Sequence, residues 1–85
     1  MDMDTPFSLD GRVVIVTGAS RGIGAGTAKA VSQSGGSVVL VARSADDLQA
    51  VAGSLPGPNR VVVGALEDPA VQAAAVAAAA ELGDL

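Results

Sequence analysis

The sequence predicts an α/β fold in which three parallel strands alternate with three helices. Two observations carry that expectation. The apolar runs from Arg12 to Thr17, Ser37 to Ala42 and Arg60 to Gly64 are continuous rather than alternating. That is the pattern of strands covered on both faces. Between and after them lie segments with helical spacing, each bounded by cap and stop residues. A β-α-β-α-β-α order implies a parallel sheet with right-handed crossovers. The expected spatial strand order is 3-2-1, one half of a doubly wound sheet.

Each element has its own local cause. Residues 1–8 read as a flexible tail broken by Pro6. The domain then runs over residues 9–85. Leu9-Asp10-Gly11 is a turn that launches the first strand. The first helix is expected over Gly22 to Ser34, with Ile23, Thr27, Ala30 and Val31 as its inward stripe. Gly35-Gly36 supplies the left-handed stop. After the second strand, Ser44 is placed to cap a helix whose third following residue is Asp47. Leu48, Val51, Ala52 and Leu55 form the apolar face of that helix. Pro56-Gly57-Pro58-Asn59 cannot continue it. Asp68-Pro69 starts the third helix, with Asp at the cap and Pro at the first helical position. Its inward face is Val71, Ala75, Ala78 and Leu82, and its alanines favour helix strongly. Gly83 is its stop.

Composition narrows the functions available. A chain of 85 residues makes one small domain, marginal in stability by size alone. Its net charge is −4 and no basic cluster exists, which argues against duplex nucleic acid or an anionic membrane as partner. Phe7 is the sole aromatic, so no stacking platform for single strands is available. There is no Cys, His or Tyr, and Lys29 is the one lysine. Thiolate chemistry, a His base, a His- or Cys-based metal site and a Tyr–Lys acid/base pair are therefore excluded within these residues. The acidic start, Met1-Asp2-Met3-Asp4, lacks the order of a signal peptide, and the expected location is the cytoplasm. The first strand is expected to keep one free edge, which invites association with other chains.

The chemistry centres on Thr17-Gly18-Ala19-Ser20-Arg21-Gly22-Ile23-Gly24. A glycine-rich turn from a strand into a helix binds phosphate, because the helix start offers unpaired N–H groups and a positive dipole end. Gly18 permits the turn, Gly22 lets a ligand approach the backbone, and Gly24 lets the helix sit close to the strand. This places the chain among Rossmann-type nucleotide-binding units. No Gly-Lys-Ser/Thr follows, so the turn is not that of an ATPase or GTPase.

NAD-binding units carry an Asp or Glu about twenty residues beyond the glycines, to accept hydrogen bonds from the ribose. Here Arg43 stands at the end of the second strand, next to Ser44. A guanidinium matches the 2′-phosphate of NADP bidentately. Arg21 can close on the same phosphate or on the adenine. Either arginine alone reads as a solvated surface residue. Together, flanking one pocket, they favour NADP over NAD. The Ser20 hydroxyl serves phosphate or ribose, or else the local backbone of the turn. Glu67-Asp68 reads as helix capping rather than as a metal site, since no third ligand lies nearby.

Leu9-x-Gly11-x-Val13 followed by the Thr17 to Gly24 pattern resembles the N-terminus of the short-chain dehydrogenase/reductase family. The resemblance extends from Leu9 through the rest of the chain. It implies a nicotinamide-dependent oxidoreductase acting on a carbonyl or alcohol, often as a homo-oligomer. It implies pyrophosphate contacts at Gly18, Gly22 and Gly24, and the nicotinamide end near Ile23. It also implies NADP preference at Arg21 and Arg43. Ala65-Leu66 stands where the family has Asp and an apolar residue. The adenine contact then falls to the backbone at Leu66. The family's Asn-Asn-Ala-Gly, catalytic Ser and Tyr-x-x-x-Lys segments are not among these residues. The chain is accordingly expected to hold cofactor without turning over substrate. The alternative is a non-catalytic nucleotide-binding or interaction module, or a decayed gene product.

Overall fold

The computed structural model describes residues 11–19 and 22–83. Its elements are β1 (Val13–Thr17), α1 (Gly22–Gln33), β2 (Ser37–Ala42), α2 (Ala45–Ser54), β3 (Asn59–Val63) and α3 (Pro69–Leu82). The strands form one parallel sheet in the order β1-β2-β3, which is the expected 3-2-1 order read from the opposite edge. The register pairs Thr17 with Val41 and Ala42 with Val63, so the carboxyl ends of all three strands lie along one edge. The readings of residues 1–8 as a tail and of Leu9-Asp10 as part of a turn fall outside the described residues.

Strand alternation sorts the core into two layers. Val16, Val38 and Leu40 pack with Ala28 of α1 and Leu48 of α2 on one face of the sheet. Val13, Val39 and Val41 pack with Ala75 and Ala79 of α3 on the other. β2 is buried on both faces, from Val38 through Val41. That accounts for its continuous apolar run. β1 and β3 are edge strands and only partly buried.

Caps and turns follow the local chemistry. The Ser44 Oγ accepts from the Asp47 N–H at 3.3 Å. An Asp68 carboxylate oxygen accepts from the Ala70 N–H at 2.9 Å, with Pro69 opening α3. Gly35 closes α1 with a φ of 92°. Buried Ser32 accepts the Gly57 N–H at 2.8 Å, fastening α1 to the α2–β3 turn. Among the described residues no helix is long and apolar enough to cross a membrane.

Four boundaries differ from expectation. Leu55, expected on the face of the second helix, is its C-cap with extended backbone, since α2 ends at Ser54. β1 begins at Val13, while Arg12 contributes its carbonyl to the Ser37 N–H. β3 runs Asn59–Val63, because Gly64 leaves the strand with a φ of 153°. α1 ends at Gln33. The larger correction is the inward stripe of α1. Ile23 is 90% exposed, Thr27 and Ala30 are exposed, and Val31 is half-buried. The helix instead buries Ala28 and Ser32, in line with Gly24 at i and i+4 spacing. Its closeness to the sheet selects the face with the smallest side chains over the face with the most apolar ones.

Leu40 is fully buried at the centre of the sheet. Leu40→Ala is expected to lower stability by about 2–5 kcal/mol, enough to abolish the cooperative transition of so small a domain. The half-exposed Val76→Ala control is expected to stay within about 0.5 kcal/mol. Urea unfolding followed by far-UV circular dichroism checks both.

Candidate functional site

The site is built where the three strands end. Each strand leads into a helix or a helix-capping loop at that edge, so the N-termini of α1, α2 and α3 all gather there. The β1–α1 turn is fixed by two contacts. The Ala19 N–H donates to the Val41 carbonyl at 3.2 Å, carrying the sheet hydrogen bonding beyond the end of β1. Ala19 is fully buried beneath it. The second contact is the approach of α1. A Cβ on Gly24 would strike the Gly18 carbonyl and stand 2.7 Å from its carbon. Gly18 has a φ of 63°, in the left-handed region where a side chain strains the backbone.

A cleft of about 400 Å³ opens beside this turn. Its walls come from all three strand ends: Thr17 and Gly18, then Arg43 and Ser44, then Leu66 and Glu67. Thus Gly18, Arg43, Ser44 and Leu66, four of the residues singled out in the sequence, meet at one opening. Gly22, Ile23 and Gly24 sit beside it at the start of α1. Ser20 and Arg21 lie outside the described residues. The Leu66 carbonyl is held by the Gln72 side-chain amide at 2.8 Å, which steadies that wall against α3. The Gly64 N–H does the same toward β2, donating to the Ala42 carbonyl at 2.8 Å.

The charges at the opening are unevenly placed. The first turn of α1 contains no acidic residue, whereas α2 has Asp46 and Asp47 there and Asp68 caps α3. Two of the three helix starts are therefore complemented by carboxylates from within the chain, and the first turn of α1 is not. Arg43 lines the cleft, its Nη2 at 3.5 Å from Glu67 Oε2. The expectation that Glu67-Asp68 caps the third helix holds for Asp68 alone, and Glu67 faces Arg43 instead. The available signal was the parallel register. Ala42 lies opposite Val63, so residues just beyond both strand ends are neighbours across the sheet. Among the described residues no group of three His, Cys, Asp or Glu side chains is arranged to hold a metal ion.

Residues 12–85 match the family model for short chain dehydrogenases. The chain belongs to the short-chain dehydrogenase family. It is 41% identical over 87 aligned positions to a D-threitol dehydrogenase from Mycolicibacterium smegmatis, covering 98% of this chain and 34% of that protein. It superposes on the structure of a 3-ketoacyl-(acyl-carrier-protein) reductase from Brucella melitensis complexed with NADH, with a TM-score of 0.80 and 36% identity. That match covers 88% of this chain and 31% of the other. The L-sorbose reductase from Gluconobacter frateurii, complexed with NADPH and L-sorbose, matches with a TM-score of 0.76 and 31% identity, over 84% of this chain and 28% of the other. The chain thus spans about a third of the length of these relatives and corresponds to their N-terminal part.

The residues present fit a dinucleotide: a turn that excludes a Cβ, a helix start free of carboxylates, and a cation at the second strand end. Gly24→Ala is expected to lower stability by about 1–3 kcal/mol, because the new methyl group meets backbone that cannot move aside. Gly26, in the same helix with open space around it, is expected to gain about 0.5–1 kcal/mol on change to Ala. Thermal unfolding of the two variants side by side separates a steric requirement from helix propensity.

Proposed function

We propose that this chain is the cofactor-binding N-terminal part of an NADP(H)-dependent oxidoreductase acting on a carbonyl or alcohol. The observation that carries the cofactor choice is Arg43 on the cleft wall at the carboxyl end of β2, where an NAD-binding unit would present a carboxylate to the ribose. In this reading the β1–α1 turn takes the pyrophosphate through Gly18, Gly22 and the N–H groups of α1. Arg43 takes the 2′-phosphate with help from Ser44, and Arg21 and Ser20 close over the adenosine end. The adenine rests along Leu66, and Ile23 faces the nicotinamide end.

Bound there, the dinucleotide supplies or accepts the hydride. The chain's own residues bind and orient it. Hydride transfer to a carbonyl also needs a proton donor beside the substrate. These 85 residues hold no Tyr or His, and Lys29 is an exposed residue of α1 outside the cleft lining. We therefore assign them cofactor binding without turnover.

Titration of NADPH and NADH against the unchanged chain and Arg43→Gln tests the cofactor choice. Loss of one charge-assisted phosphate contact is expected to weaken NADPH by about 1.5–3 kcal/mol, with NADH nearly unaffected. Equal affinity of the unchanged chain for both cofactors would overturn the NADP assignment. A separate expectation concerns assembly. β1 presents a partly buried apolar edge, so the 85-residue chain is expected to self-associate with rising concentration. Sedimentation equilibrium checks this; a single monomeric species across the accessible range would contradict it.

A further inference from the structure

The cleft contains a charge that the cofactor reading leaves without a role. Glu67 comes from the loop between β3 and α3 and reaches Arg43 across 24 positions of sequence, at 3.5 Å. It does not cap α3, since Asp68 does that. The two side chains are 75% and 78% exposed, so water competes for both and the pair is weak. A weak pair can be opened by a ligand, and its carboxylate then remains beside whatever replaces it.

We propose that Glu67 is a specificity-determining residue for the adenosine end of the cofactor. Its carboxylate competes with the 2′-phosphate for the Arg43 guanidinium, and so sets how far the cleft favours phosphorylated over unphosphorylated ribose. The inference rests on the reading of Arg43 as the phosphate ligand. A guanidinium engages a phosphate through a planar fork of two N–H donors. With Glu67 on Nη2, an incoming phosphate must either displace the carboxylate or share the fork with it. Displacement forfeits the ion pair. Sharing holds a carboxylate and a phosphate of about −1.5 to −2 charge on one cation, within reach of their mutual repulsion. Ribose with a free 2′-hydroxyl is neutral and meets neither penalty. Glu67 therefore reduces a preference that Arg43 creates.

The test uses adenosine 2′,5′-bisphosphate and adenosine 5′-monophosphate as probes. They are titrated calorimetrically against the unchanged chain, Glu67→Gln, Arg43→Gln and the double variant. Both positions are exposed, and far-UV circular dichroism verifies that each variant keeps its helices. Glu67→Gln keeps the side-chain length and removes the charge. It is expected to tighten the bisphosphate about fivefold while leaving the monophosphate within about twofold. That gain is expected to vanish in the Arg43→Gln background and to shrink as salt is raised. If Glu67→Gln leaves the bisphosphate unchanged while Arg43→Gln weakens it, the inference fails and the reading of Arg43 stands. Weakening of both probes by Glu67→Gln would make Glu67 a ligand of the common adenosine and also overturn the inference. Identical affinities of the two probes in the unchanged chain and in Arg43→Gln would overturn the reading of Arg43 and the inference together. So would failure of both probes to bind any of the four chains.

Discussion

The close seat of α1 on the β1–α1 turn is the constraint on which the rest of the molecule depends. Gly24 lies against the Gly18 carbonyl with no room for a Cβ. That contact fixes how near the helix stands to the sheet, and the distance decides which face of α1 is buried. Gly24, Ala28 and Ser32 fall one turn apart and face inward because they are small. Ser32 then reaches the Gly57 N–H and positions the turn before β3. A local steric requirement at one glycine is thereby carried, through helix placement, to the opposite end of the sheet.

The same constraint explains why Ile23 is exposed. A large apolar side chain at the start of a helix ordinarily packs on the core. Here β1 ends at Thr17, before that position is reached, and the core side of the helix is taken by its small residues. An exposed isoleucine beside an open cleft gains little from water and is available to a ligand. The cost of leaving it uncovered is modest beside what the central strand recovers. Val38, Val39, Leu40 and Val41 are each essentially inaccessible to solvent, and burial of side chains of this size stabilises by roughly 1.5–3 kcal/mol apiece.

Much of this was legible in the sequence because it is locally determined. Continuous apolar runs located the strands, and Ser44, Asp68-Pro69 and Gly35-Gly36 located helix ends whose caps the structure contains. The glycine spacing located the turn. What was not legible depends on distances between elements. The inward face of α1 followed from packing distance rather than from hydrophobic period, so a stripe chosen by apolarity alone picked Ile23 and Thr27 wrongly. The Arg43–Glu67 pair joins residues 24 apart in sequence. It becomes visible only once the parallel register places the ends of β2 and β3 side by side. Reading charges singly makes each of the two an ordinary surface residue. Reading them across the sheet makes them one electrostatic unit.

The chain is acidic overall, with a net charge of −4, yet one of its helix starts carries no carboxylate in its first turn. The resolution lies in where the carboxylates sit. A parallel sheet with helical crossovers gathers every helix N-terminus at one edge, and each could in principle attract a negative group. In α2 and α3 that attraction is already satisfied by Asp46, Asp47 and Asp68, which stabilise their own helices. α1 begins with glycine, isoleucine and glycine, and brings no carboxylate of its own. The three starts are chemically alike in backbone and differ only in what the sequence has set upon them. Charge distribution within a few ångströms, rather than net charge, therefore decides which helix start can take a phosphate.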